Sequence, residues 1–316
     1  MKFTALGVGN AFSYLNFNQQ FLLEEEGERL LIDAGAQTQF ALKNAGLTPK
    51  DIDAIYVSHL HSDHVGGLEF MGLMRYDWGT KPQPRLASEF KSPGVRAPTL
   101  ICEQELMEEL WDESLRGGLK GMAGFRATLG TFFNVQPIDI TKGFEWHGWH
   151  FDLIQQVHIM AGSLITNSYG LLIKKKGHPT LYITTDSQHC SPSQIEIFYE
   201  EADIIIQDCE TQVFPTSVHA TYPQLAGHME ANSHSLPESV KNKMWLSHYN
   251  DWITQGWTPV SKFSPYKLFQ PPEDQSKIKE YSTPTGVVKG VDFNWHEQAE
   301  KDGFKGFLKV GQVLEF

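Results

Sequence analysis

Three histidines and an aspartate fall within six positions in the run Ser58-His59-Leu60-His61-Ser62-Asp63-His64-Val65-Gly66-Gly67-Leu68. That density dictates the backbone around it. The preceding stretch, Asp53-Ala54-Ile55-Tyr56-Val57-Ser58, has the apolar pattern of a buried strand, and Gly66-Gly67 lets the chain turn into a helix. His59 and His61 stand two apart on an extended segment leaving the strand, so their imidazoles project to one side. Asp63 and His64 enter the same space from the turn. Imidazole and carboxylate donors packed this closely suit two adjacent divalent ions, zinc first and manganese or iron as alternatives, with no thiolate to select a softer metal.

The rest of the chain reads as strands first and helices after, in two successive halves, 1 to about 150 and about 151 to 248. In the first half, Met1 to Val8 reads as a strand and Gln20–Glu24 with Arg29–Asp33 as a hairpin around Glu26-Gly27-Glu28. Thr38–Ala45 has weak helical periodicity. Residues 81–98 have the Pro, Ser, Arg and Gly content of a loop, and Glu103–Leu115 spaces its apolar residues as a helix that Gly117-Gly118 closes. In the second half, Phe151–Ile159, Tyr169–Lys174, Thr180–Thr184, Asp203–Asp208 and Lys243–Ser247 read as strands and Glu196–Ala202 as a helix. Tyr249 to Phe316 is a C-terminal extension rich in Pro, Lys and aromatics, ending in an expected hairpin over Gly303–Phe316. The organisation expected is one hydrolase domain over 1–316, with 81–126 as an inserted loop and helix and 249–316 as the extension.

Composition removes several classes. With 26 Lys and Arg against 38 Asp and Glu, the net charge is −12, and no basic block exists to neutralise the phosphates of a long nucleic acid. Small substrates are favoured. No run approaches the ~18 apolar residues of a membrane span, and no export signal is visible. Cys102, Cys190 and Cys209 are odd in number, far apart and without a C-x-x-C, which points to a reducing cytosol rather than a disulfide scaffold.

The H-x-H-x-D-H pattern of His59, His61, Asp63 and His64, after a buried strand and before a double glycine, resembles that of the metallo-β-lactamase-fold hydrolases. The resemblance implies an α/β fold, a four-layer αββα sandwich of two mixed sheets with a dinuclear site at one edge. It also implies three later donors, and the chain offers His158, Asp186 and His248, each where an apolar strand runs out. By resemblance, His59, His61 and His158 hold one metal, Asp63, His64 and His248 hold the other, and Asp186 bridges. Such a pair of ions activates water and neutralises the oxygens of the electrophile, with Asp63 placed to orient the water or take its proton.

Asp208-Cys209-Glu210-Thr211 with His219-Ala220-Thr221 is similar to the Glu-x-Thr and His-x-Thr elements of the ribonuclease Z-like phosphodiesterases. There such a histidine protonates the departing oxygen and the glutamate orients it. His219 is therefore the expected general acid and Glu210 its expected orienting partner. The long basic arm of a ribonuclease Z is missing, so the chain instead resembles the compact members that cleave small cyclic phosphodiesters, cyclic nucleotide phosphodiesterases and phage anti-Pycsar enzymes among them. The resemblance implies a nucleoside monophosphate product and a homodimer. Asp186 in place of a cysteine ligand stands against a penicillin-degrading enzyme, and His61 against the flavodiiron proteins. Three rivals stand beside this reading: a lactonase or thioesterase on the same scaffold, a nucleotide sensor without turnover, and transfer RNA processing. His147, His150, His178, His189, His228, His234 and His296 have no ligand-like spacing and read as solvated or packing residues, with His189 still near enough to Asp186 to line the pocket.

Overall fold

The computed structural model describes residues 1–76, 96–188, 192–228 and 236–316, with the side chains of 192–195 outside that description. Most of the expected 81–98 loop, His189 and His234 lie outside the described residues. Among the described residues, two seven-stranded sheets carry the fold. The first runs Val313–Glu315, Lys2–Gly7, Gln20–Glu25, Glu28–Ile32, Ala54–Val57, Thr99–Glu103 and Asn134–Ile138. The second runs Gly306–Phe307, Met244–Ser247, Ile204–Asp208, Leu181–Ile183, Leu164–Lys174, Trp149–Ala161 and Phe144–Trp146. Each mixes antiparallel hairpins with parallel pairs, so both are mixed sheets.

Residue alternation explains why they stack. In Gln20–Glu25, Phe21 and Leu23 enter a core shared with Phe151, Leu171, Ile173 and Ile183 of the second sheet. Leu22 points the other way, into a core with Leu42, Leu68, Met71 and Leu106 of the covering helices. Both faces are buried, and the strands therefore read as continuous apolar runs rather than alternating ones. On the outer face of the second sheet, Tyr182 packs on Phe198 and Tyr199 of the helix Pro192–Glu201. The result is the expected αββα layering, the metallo-β-lactamase architecture.

Several local expectations give way. Gly303–Phe316 is no hairpin: Gly306–Phe307 pairs parallel to Met244–Ser247 in the second sheet, while Val313–Glu315 pairs antiparallel to Lys2–Gly7 in the first. The chain end thus ties the two sheets together. The helix expected to close at Gly117-Gly118 runs through them, from Gln104–Glu109 through a π-helical segment Leu110–Leu115 to Arg116–Leu119. The strand expected over Phe151–Ile159 extends over Trp149–Ala161, and its partner begins at Leu164 rather than Tyr169. Among the described residues no helix is long and apolar enough to cross a membrane.

Candidate metal centre

The site forms where strand ends of both sheets meet. Ala54–Val57 ends in Ser58–His61, and the short helix Ser62–Val65 carries Asp63 and His64. The glycines around it act through close approach: a Cβ on Gly35 would meet the Asp63 carbonyl oxygen at 1.9 Å, and one on Gly67 the Gly35 carbonyl oxygen at 2.5 Å. Asp33, in the left-handed region at φ 61°, lies under the motif. Its carboxylate accepts from the Ser58 N–H, the Ser58 hydroxyl and His64 Nδ1, all at 2.8 Å. Since the Ser58 hydroxyl donates to Asp33, its oxygen accepts from His59 Nδ1 at 3.1 Å. Both rings are thereby fixed with Nε2 toward the site, the support that metal-binding imidazoles require.

The second sheet supplies the remaining donors. His158 is not at a strand end but inside one, as the extra residue where the register shifts between Val157 and Ile159. This bulge re-aims the side chain. His158 Nδ1 donates to the Val218 carbonyl at 2.9 Å, leaving Nε2 3.0 Å from His61 Nδ1. Asp186 follows Leu181–Ile183 and Thr185 at φ 54°, and His248 follows Met244–Ser247 at φ 63°. Left-handed backbone at non-glycine residues is strained, and here it clusters where strands release their functional side chains.

The expected donors converge on Asp186. One oxygen lies 3.8 Å from His59 Nε2 and 3.7 Å from His158 Nε2; the other lies 3.2 Å from His64 Nε2 and 3.4 Å from His248 Nε2. Asp63 stands 3.3 Å from His64 and 3.4 Å from His248. His59, His61, His158 and Asp186 form one donor cluster, and Asp63, His64, Asp186 and His248 a second, with Asp186 common to both. His59 Nε2, His64 Nε2 and Asp186 Oδ1 are buried without a hydrogen-bond partner. Such groups are costly to bury unless something binds them, and a pair of divalent cations fits their chemistry.

Electrostatics divide the site. Burial, joined by neighbouring imidazoles, holds His59 well below its ordinary pKa, and burial lowers His158 to about 4, which favours the neutral rings that metal binding needs. In the other half burial opposes charge, yet Asp186, Asp63 and Asp33 raise His64 well above its usual value, and Asp186, Asp208 and Asp63 raise His248 to about 10. The carboxylates there call for positive charge.

Asp208, the last residue of Ile204–Asp208, did not emerge from the sequence as a site residue. One of its oxygens accepts from His219 Nδ1 at 2.8 Å, and the other stands 3.3 Å from His248 Nδ1. By distance Asp186, Asp208, His219 and His248 also form a donor group, but both Asp208 oxygens face Nδ1 atoms of rings, as a supporting carboxylate does. Glu210 does not make the bond to His219 expected from sequence. Its carboxylate accepts from the Thr216 N–H at 3.0 Å and the Thr216 hydroxyl at 2.9 Å, pinning the loop before His219. The signal for Asp208 was present as the polar end of a buried strand, two residues before the glutamate that the motif favoured.

His147 and His150 lie far from this centre and pair with Glu26 and Glu28, and with Glu145 and Asp152, respectively.

With this geometry in place, residues 1–262 match the model of the family described as anti-Pycsar protein Apyc1. The chain belongs to the Apyc1 family. A relative from Paenibacillus harenae, itself named anti-Pycsar protein Apyc1, is 32% identical over 259 residues, covering 81% of this chain and 92% of the relative. Among solved structures, the metallo-β-lactamase fold protein YhfI of Bacillus subtilis superposes with a TM-score of 0.60 at 15% identity, covering 100% of this chain and 98% of YhfI. Unliganded yeast PDE1 gives 0.60 at 11% identity, covering 100% and 99%. Those two likenesses speak to fold. Apyc1 family membership, the fold and the paired donor clusters make the protein a metal-dependent hydrolase.

Proposed function

We propose that the protein is a phosphodiesterase that opens a small cyclic nucleotide to the nucleoside monophosphate. The observation that carries this reading is the Asp208–His219 pair at the edge of the donor clusters. Cleaving a phosphodiester expels an alkoxide, which needs a proton, and a histidine held by a carboxylate supplies one. Asp208 takes Nδ1, so Nε2 of His219 is the atom left to deliver the proton to the departing ribose oxygen. Thioester cleavage, which expels a thiolate, has less need of such a pair.

Two divalent ions, when bound, would supply a nucleophilic water at neutral pH and neutralise the phosphoryl oxygens. Zinc is the ion the nitrogen-rich donor set favours, with manganese or iron as alternatives. His59, His61 and His158 would hold one ion and Asp63, His64 and His248 the other, with Asp186 shared. Asp63 would orient the attacking water or accept its proton. Glu210 serves by fixing the Thr216 loop.

The cavity over these residues measures about 190 Å³ and is lined by His61, Asp63, Asp186 and His219. That is below the ~300–1,000 Å³ typical of pockets for larger ligands. It suits a phosphodiester ring with the base left toward the mouth, and the resemblance to anti-Pycsar enzymes points the same way. Free, buried Cys102 and Cys209 accord with the cytosolic setting read from sequence. The homodimer implied by resemblance is part of this proposal, and sedimentation at micromolar protein tests it.

The experiment is a side-by-side assay of metal-loaded protein on 3′,5′-cyclic nucleotides and on simple lactones. Diester turnover is expected. Turnover of lactones alone would replace this reading with the carbon-centred one.

A further inference from the structure

The same cavity is bordered by a residue that neither the metal centre nor the proton-transfer pair uses. Phe12 lines it together with His61, Asp63 and His219, yet the residue is 79% exposed. A large apolar ring this open contributes nothing to the core.

The loop that presents it is held firmly. Residues 10–16 fold over Asp251, whose carboxylate accepts from the Ser13 hydroxyl at 2.5 Å, the Tyr14 N–H at 2.7 Å and the Asn16 side-chain amide at 2.9 Å. The Phe12 N–H donates to Asn10 Oδ1 at 3.0 Å. Asp251 follows His248 by three positions, and the two segments are joined directly, the His248 N–H donating to the Val8 carbonyl at 2.8 Å and the Asn10 N–H to the Tyr249 carbonyl at 3.2 Å. The loop carrying Phe12 is therefore keyed to the loop carrying a donor of the metal centre, which fixes where the Phe12 backbone stands relative to that centre.

We infer that Phe12 is the platform on which the nucleobase of the substrate stacks. The inference rests on the phosphodiesterase reading and adds its specificity. The narrow cavity takes the phosphodiester ring, so the base emerges at the mouth, where the exposed ring stands. Stacking on an aromatic side chain uses the π-face that every base has and ignores its hydrogen-bonding edge. Phe12 therefore selects nucleotides over diesters without a base, and discriminates weakly between purine and pyrimidine.

The test compares kcat/KM for a 3′,5′-cyclic nucleotide with that for 1-O-methylribose 3′,5′-cyclic phosphate, a diester lacking the base. Phe12→Ala is expected to lower the preference for the nucleotide about tenfold, mainly through KM, for purine and pyrimidine alike, and Phe12→Tyr to keep it. Phe40→Ala removes another exposed aromatic, one that does not line this cavity, and is expected to keep the wild-type preference. Calorimetry gives a readout independent of turnover: Phe12→Ala should weaken nucleoside 5′-monophosphate binding about tenfold and ribose 5-phosphate binding far less. An unchanged preference together with unchanged monophosphate affinity in Phe12→Ala overturns the platform, as does an equal loss in Phe40→Ala. If the wild type turns over neither diester, the phosphodiesterase reading fails on its own, and the calorimetry still decides whether Phe12 binds a base.

Discussion

Asp208 accepts a hydrogen bond from His219 Nδ1 at 2.8 Å, and its carboxylate is fully buried behind the donor clusters. This pairing fixes one ring nitrogen and leaves the other free, which is what a proton donor to a leaving group needs. Its second oxygen lies 3.3 Å from His248 Nδ1, so one carboxylate steadies both the candidate acid and a candidate metal-binding ring.

His219→Ala removes the acid and leaves the donor clusters built on Asp186 in place. Turnover of a diester with an alkoxide leaving group should fall ~10²- to 10⁴-fold, with a much smaller loss for a nitrophenyl diester whose leaving group needs no proton. Metal content by elemental analysis should stay at the wild-type value. Full activity on the alkoxide diester would remove His219 from the mechanism.

Asp208→Asn should cost more than Glu210→Gln. The first loosens His219 and His248 together, and such support for a metal-binding ring is worth ~10- to 100-fold in metal affinity or activity. The second disturbs only the Thr216 loop. Equal losses of kcat in the two variants would contradict the division of labour drawn from the hydrogen bonds.

Metal removal should destabilise the fold. The buried atoms of His59, His64 and Asp186 that make no hydrogen bond would be satisfied by bound cations. At free metal 100 times Kd, each site contributes about 2.7 kcal/mol. A chelator should therefore lower Tm by several degrees, and added zinc should restore it. A Tm indifferent to both treatments would show that the clusters hold no metal.

Acid stability should carry the mark of Glu25, away from the metal centre. Burial alone would raise this carboxyl, but the Trp149 indole N–H at 3.1 Å, the Met1 amine at 3.1 Å and Lys175 at 3.2 Å together bring it down to about 2. A carboxyl lowered by folding contributes its full stabilisation above the ordinary value of 4.5, and that contribution drains away as pH falls toward 2. Tm of metal-free protein, scanned from pH 6 to pH 2.5, should fall more steeply in the wild type than in Glu25→Gln. Parallel profiles would contradict it.

The C-terminal segment should be indispensable. The family match ends at residue 262, yet Gly306–Phe307 and Val313–Glu315 add a strand to each sheet. Trp295, buried among Tyr222, Phe293 and Phe307, packs this segment onto the second sheet. Trp295→Ala should cost about 3–5 kcal/mol in denaturant unfolding. A chain ending at 262 should lack the native Tm, and a native Tm in that chain would show the segment to be accessory.

What the sequence made legible follows from which signals are local. The H-x-H-x-D-H run announces itself because its donors are adjacent in sequence, and the strands around it are apolar on both faces. His158, Asp186 and His248 could be proposed only through family resemblance, since their meeting depends on the packing of two sheets. The bulge at His158 has no sequence mark, since an extra residue in a strand leaves its apolar pattern almost unchanged. Gly303–Phe316 looked like a hairpin because its glycine and apolar pattern fits any two short strands. Only tertiary pairing separates them into different sheets. Asp208 gives no such signal, because a buried carboxylate at a strand end resembles any strand terminus, and its partner ring, His219, reaches it only through the fold.

The most direct measurement is chromatographic. Metal-loaded protein is incubated with a panel of purine and pyrimidine 3′,5′-cyclic nucleotides, and the mixture is resolved for linear products. Release of nucleoside monophosphates, lost on chelation and sharply reduced in His219→Ala, is the predicted result. A protein with its metals bound that leaves the whole panel intact would contradict the account.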